Sequence, residues 1–164
     1  LNGIGTGLDI PFLPRHHQYV GLDLTPAMLK HAQKQLLAPT SPERFQCLCG
    51  DAQKLPLADA SFDYVVLHLI IAVVPDPVAC LQESVRVLKP GGTILIFDKF
   101  LQPEWKRAPF LRLINPVTKR LATRFDVILE DLLATTPSLE LLDNQPALFN
   151  GWSRLLRLIK NKTA

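Results

Sequence analysis

Three glycines alternate within the first seven residues, Gly3, Gly5 and Gly7, in the run "GIGTG". Glycine admits positive φ and lets a ligand approach the main chain closely. A helix opening just beyond would add free N–H groups and a positive dipole end. Two acids follow at intervals: Asp23 after "QYVGL", and Asp51 in "CGDAQKLPL". A carboxylate ending the second strand of an open sheet can accept both hydroxyls of a ribose. One ending the next strand can accept an adenine amino proton. His68 closes "FDYVVLH", and histidine is the side chain suited to proton transfer near neutrality. Its plainer reading is a ring that lines a pocket and donates one hydrogen bond. Asp98, ending "TILIFD", reads first as a turn or helix-start residue and second as a base.

These residues need strands that end on one edge. Gln18–Leu22, Phe45–Cys49, Phe62–Leu69 and Thr93–Asp98 are short apolar runs of strand length. Helices are expected at Asp9–Leu13, at Pro26–Leu37 with Thr25 as cap, and at Pro77–Val87. In the second of these, Met28, Leu29, Ala32 and Leu36 share a face. "KPGG" (Lys89–Gly92) reads as a turn. Strand and helix alternate to residue 98, which predicts a doubly wound α/β sheet. Ligands of such sheets bind beyond the carboxyl ends of the strands, where Asp23, Asp51 and His68 would stand together. Further on, a helix at Asp126–Ala134 is followed by two strands, "SLELLDNQPALF" and "GWSRLLRLIK". Asn150–Gly151 between them is a turn signal, so this pair should be antiparallel.

Composition narrows the classes. The 164 residues suffice for one domain with a sizeable core. A formal net charge of +3 is too small to imply nucleic acid by itself. Three cysteines, Cys47, Cys49 and Cys80, are an odd and sparse set that suits a reducing cytoplasm. Cys47 and Cys49 read as packed thiols, His16, His17 and His31 as surface residues, and no metal constellation is visible. The longest apolar run, Tyr64 to Val74, is too short to span a bilayer and contains His68. Residues 99–125 carry Lys99, Lys106, Arg107, Arg112, Lys119, Arg120 and Arg124 against Glu104, interleaved with bulky apolar residues. That pattern suits an anionic membrane surface or a lipid-like substrate, or else a solvated lid covering the sheet.

The dinucleotide fingerprint G-x-G-x-x-G would place its third glycine at Leu8, which disfavours a nicotinamide cofactor. Taken together, "GIGTG", "VGLDLTPAML", "CGDAQKLPLADASFDYVV" and "VPDPVACLQESVRVLKPGGTILIFD" resemble a class I S-adenosylmethionine-dependent methyltransferase. The flavour is that of quinone-biosynthesis C-methyltransferases and bacterial phospholipid N-methyltransferases, over residues 3 to 98. The resemblance implies a mostly parallel, seven-stranded Rossmann-like sheet, its antiparallel last strand inserted between the fifth and sixth. It implies that S-adenosyl-L-methionine lies over Gly3, Gly5 and Gly7, its ribose on Asp23 and its adenine on Leu24, Asp51 and Ala52. Leu67 and His68 would line the methyl end, with His68 as the catalytic candidate.

Two departures from that family stand out. Its usual acid two positions before the first glycine is Leu1 here, and the first strand and N-terminal cap are largely missing. Residues upstream of Leu1 are therefore expected. The whole reading is a single domain, 1–164, with a cofactor-binding half (1–98) and a substrate-side segment with C-terminal strands (99–164). The expected activity is methyl transfer to a small or lipophilic acceptor, quinone- or phospholipid-like, in a cytoplasmic protein with peripheral membrane contact through 99–125. The alternatives are a nicotinamide-dependent oxidoreductase and a non-catalytic cofactor-binding or interaction domain.

Overall fold

The computed structural model describes residues 1–101, 127–148 and 152–162. Its strands are β1 (Gln18–Asp23), β2 (Arg44–Cys49), β3 (Phe62–His68), β4 (Leu88–Lys99), β5 (Leu139–Leu148) and β6 (Ser153–Lys160). β1 pairs parallel with β2, and β3 parallel with β4. β6 lies between β4 and β5 and runs antiparallel to both. β5 is thus an edge strand among the described residues, and it accommodates Pro146, which has no amide to donate.

Six strands, not seven, are present among the described residues. Between β1 and β3 the chain's first residues act as a short stitch. Asn2 bridges both Leu22 and Leu67 in parallel. The Asn2 amide donates to Val66 O at 2.9 Å, and the Leu22 amide to Leu1 O at 2.9 Å. Two β units, β1–β2 and β3–β4–β6–β5, are joined there.

Helix α1 (Pro26–Gln35) buries Leu29 and Ala32. Met28, expected on the same face, is exposed, and the helix stops short of Leu37. Thr25 makes no side-chain cap; its amide instead donates to Asp23 Oδ1 at 2.9 Å. Helix α2 (Pro77–Val87) buries Pro77, Cys80, Leu81 and Ser84, an i, i+3, i+4, i+7 stripe, and Val87 at its end. Asp76 caps it, Oδ1 accepting from the Val78 and Ala79 amides at 3.0 Å each. Helix α3 (Leu129–Ala134) is shorter than expected, and its expected start at Asp126 lies outside the described residues, as does the Asn150–Gly151 turn.

Lys89–Gly92 is not a turn ahead of a strand but part of β4. Phe62 pairs with Leu88 and Tyr64 with Thr93, so β4 absorbs the extra residues as a bulge. Wholly buried Leu67, Ile94, Ile96, Leu156 and Leu158 form the centre of the core. They alternate along their strands, as residues facing one side of a sheet do.

Candidate functional site

The glycine loop leaves the stitch at the carboxyl end of β1. The amides of Gly3 and Ile4 both donate to Leu22 O, at 2.8 and 3.0 Å. Gly7 has φ +74°, and an added Cβ would stand 2.8 Å from the Ala32 Cα, so α1 packs directly on its backbone. Gly5 has φ +53°, and an added Cβ there would meet nothing within 4 Å. Close packing does not require that glycine. Its bare backbone faces open space, a surface on which a ligand can lie.

Asp23 ends β1 beside this loop. Oδ2 accepts the Gly5 amide at 2.8 Å, and the Asp23 carbonyl accepts the Gly50 amide at 3.1 Å. Asp51 therefore follows on the same carboxyl edge, one residue past that contact. Gln53 holds it by a side-chain bond and an amide bond to Oδ1, at 2.9 and 2.8 Å, and these two bonds keep its carboxyl below the ordinary range. Gln53 in turn accepts the Asp76 amide through Oε1 at 2.8 Å, tying the loop to the start of α2. Leu24 is 68% exposed beside Asp23, whereas Ala52 is buried in the core.

Arg86 on α2 holds the same loop from below. Its Nε and Nη2 donate to Glu83, Nη1 to Leu57 O and Asp59, and Nη2 also to Leu55 O. Glu83 returns a bond, accepting the Leu55 amide at 2.7 Å. Neither residue stood out in the sequence, since an acid and a base three apart on a helix are commonplace.

His68 ends β3 on this edge. Its Nδ1 lies 2.5 Å from Asp9 Oδ2, and its ring meets Phe97 edge-on at 5.3 Å. Leu69, the next residue, is held at φ +53° with its amide bonded to Phe97 O at 2.8 Å. The expected helix at Asp9–Leu13 is a single 3-10 turn, Ile10–Phe12, which the Asp9 side chain does not cap. Asp9 was not singled out in the sequence, because its partner is 59 residues away. Both residues line a void of about 10 Å³, together with Gly3, Ile4, Gly7 and Ile10, room for about one water.

Two expectations need correction. Leu67 is 0% exposed in the core, so only its backbone reaches the edge. Asp98 is neither a base at the surface nor a helix start. It is wholly buried, Oδ2 accepting the Ile71 and Ala72 amides at 2.7 and 3.3 Å and Oδ1 the Lys99 amide at 2.7 Å. Burial raises its carboxyl above the ordinary range against those three bonds.

All three cysteines are free; Cys80 is buried, but Cys49 is exposed instead of packed. His16, His17 and His31 are exposed. Among the described residues no group of three or more His, Cys, Asp or Glu could hold a metal ion. Nor is any described helix long and apolar enough to cross a membrane. Of the basic segment 99–125, only Lys99, Phe100 and Leu101 are described.

Comparison with known proteins identifies the family and the fold. Residues 2–96 match the family model described as a methyltransferase domain. The chain is 28% identical over 159 residues to a phosphatidylethanolamine N-methyltransferase of Cereibacter sphaeroides, covering 94% of this chain and 76% of that protein. It is 32% identical over 120 residues to the ubiquinone/menaquinone biosynthesis C-methyltransferase UbiE of Roseobacter denitrificans, covering 70% of this chain and 48% of that one. The chain thus spans about half the length of this quinone relative. The fold superposes on a SAM-dependent methyltransferase of Methanosarcina mazei with a TM-score of 0.70 at 19% identity, over 98% of this chain and 90% of that structure. The chain belongs to the methyltransferase-domain family, on the Rossmann-like fold of the S-adenosyl-L-methionine-dependent enzymes.

Proposed function

We propose that the edge formed by Gly5, Asp23, Asp51 and His68 binds S-adenosyl-L-methionine and directs its methyl group to a small or lipophilic acceptor. The observation that carries this is the Asp23–Gly5 contact. It sets a fixed carboxylate next to a bare, positive-φ backbone that faces open space. A charged cofactor with a sugar hydroxyl pair fits that combination. Asp23 has further lone pairs for ribose hydroxyls, since a carboxylate offers about four acceptor sites. Asp51, kept ionised by Gln53, is suited to an adenine amino group. Exposed Leu24 offers an apolar face for the base. Gly3 and Gly7 let the loop turn under the methionine part.

When bound, S-adenosyl-L-methionine supplies an electrophilic methyl group on a positively charged sulfur. The protein then has to align the acceptor, keep water away and take up any proton the acceptor must lose. His68 is the residue for the last task. Residues 1–98 serve as the cofactor-binding half and 99–164 as the acceptor side. The basic and apolar residues of 99–125 favour a lipid-like acceptor, of quinone or phospholipid kind, reached from the membrane surface by a cytoplasmic protein.

Calorimetry with S-adenosyl-L-methionine and with NADH tests the cofactor. Saturable binding of the first alone is expected, and binding of NADH alone would overturn the proposal. Transfer of labelled methyl to quinol, phospholipid or thiol acceptors tests the reaction.

A further inference from the structure

We infer that Asp9 is a positioning residue that keeps the His68 proton on Nδ1, so that Nε2 serves as the proton acceptor for a weakly acidic nucleophile, a thiol or a phenol. This rests on the methyl-transfer reading of the same edge. Asp9 and His68 come from the glycine loop and the end of β3, the two segments that would flank the reacting group. The Nδ1–Oδ2 separation of 2.5 Å puts the carboxylate in direct hydrogen-bond contact with the ring.

A carboxylate has no proton to donate, so the bond requires the proton on Nδ1. Nε2 then carries the ring's free lone pair, and it makes no hydrogen bond among the described residues. Phe97 packs edge-on against the ring, which holds its plane. Nor is the Asp9 carboxylate spent on the turn that follows it, since it makes no cap bond there.

The pairing also says which acceptors benefit. A fixed basic nitrogen helps only where the attacking atom carries a proton that must leave. In the step, the lone pair of the acceptor's sulfur or oxygen forms the new bond to methyl carbon. The carbon–sulfur bond of the sulfonium breaks, and its electron pair stays on sulfur as the neutral thioether. The acceptor's proton passes to Nε2 and from there to solvent.

The test uses the full-length protein with 15N-labelled histidine. Long-range 1H–15N spectra, taken where the ring is neutral, should show His68 of the wild type as the Nδ1–H tautomer. In Asp9→Ala the signal should move toward the Nε2–H form. Against an aliphatic thiol or a simple phenol, kcat should fall about tenfold or more in that variant, with the affinity for S-adenosyl-L-methionine within twofold of wild type. Against an acidic thiophenol, already ionised at the assay pH, kcat should hold. Asp9→Asn keeps the side-chain volume and carries the same test if Ala disturbs the loop.

An Nε2–H ring in the wild type would overturn the inference. So would an equal loss of kcat for ionised and protonated acceptors. Failure of the wild type to bind S-adenosyl-L-methionine in calorimetry would instead overturn the function reading itself, and this inference with it.

Discussion

The carboxylate of Asp23 accepts the Gly5 amide at 2.8 Å across 18 residues of chain. One oxygen thus shapes the glycine loop while the other takes the Thr25 amide that begins α1. Removing the carboxylate would loosen the loop and remove the ribose contact together. Asp23→Ala is expected to weaken S-adenosyl-L-methionine binding by about 10- to 100-fold, the equivalent of one hydrogen bond to a charged group. Asp23→Asn keeps one acceptor oxygen and should lose less. Calorimetric titration of the two variants gives the comparison.

Gly5 and Gly7 share positive φ but differ in what surrounds them. At Gly7 a methyl group would press on the α1 backbone, which cannot move aside as a flexible side chain can. Gly7→Ala should therefore lower the melting temperature markedly. Gly5→Ala adds only the left-handed penalty of about 1–2 kcal/mol, yet it fills the space above the loop. That variant should fold and lose cofactor affinity. Thermal melts with and without S-adenosyl-L-methionine separate the two effects.

The elements were legible in the sequence where local chemistry decides them. Pro77 at a helix start, followed by apolar residues at helical spacing, places α2 at the residues where it stands. The carboxyl-edge gathering of Asp23 and Asp51 followed from strand order, because parallel strands all end on one side. What was hidden depended on distant partners. Nothing near Asp9 announces His68, and Asp98 looks like any acid that ends a strand until the turn at Ile71–Ala72 folds over it. "KPGG" was misread because a bulge and a turn draw on the same residues; only pairing with Phe62 and Tyr64 distinguishes them.

Arg86 uses all five of its N–H groups on the loop that carries Asp51 and on Glu83. Arg86→Met keeps much of the stem and removes every donor, which takes the guanidinium away from two loop carbonyls and Asp59 and leaves Glu83 with the Leu55 amide alone. A loss of about 2 kcal/mol is expected, reduced from a fully buried network because the guanidinium is partly exposed. The Arg86 hydrogen bond holds the Glu83 carboxyl below its ordinary range, against the opposing effect of burial. A depressed folded value gives stability that is present above the unfolded glutamate range, near 4.3, and lost as pH falls through the folded one. In Arg86→Met that acid-side loss should shrink. Urea denaturation from pH 7 down to pH 3 checks both the offset and the slope.

Asp98 should show the opposite sign. Burial is the largest influence on its carboxyl and raises it, outweighing the bonds from Lys99, Ala72 and Ile71. The folded state then holds this proton more tightly than the unfolded chain does. The residue's contribution to stability is complete below the ordinary aspartate range, near 3.9, and declines as pH rises through the raised folded value. Asp98→Asn does not titrate, so the stability difference between wild type and variant should narrow from acid toward neutrality. Asp98→Leu presents no acceptor at all. It leaves the Ile71, Ala72 and Lys99 amides bare at every pH, a cost of about 3 kcal/mol or more. The Ile71 and Ala72 amides belong to the turn just after His68 and Leu69, so the Leu variant should also broaden or shift the His68 imidazole resonances. A difference that widens toward neutral pH in the Asn variant would mean that the three amides, and not burial, govern this carboxyl.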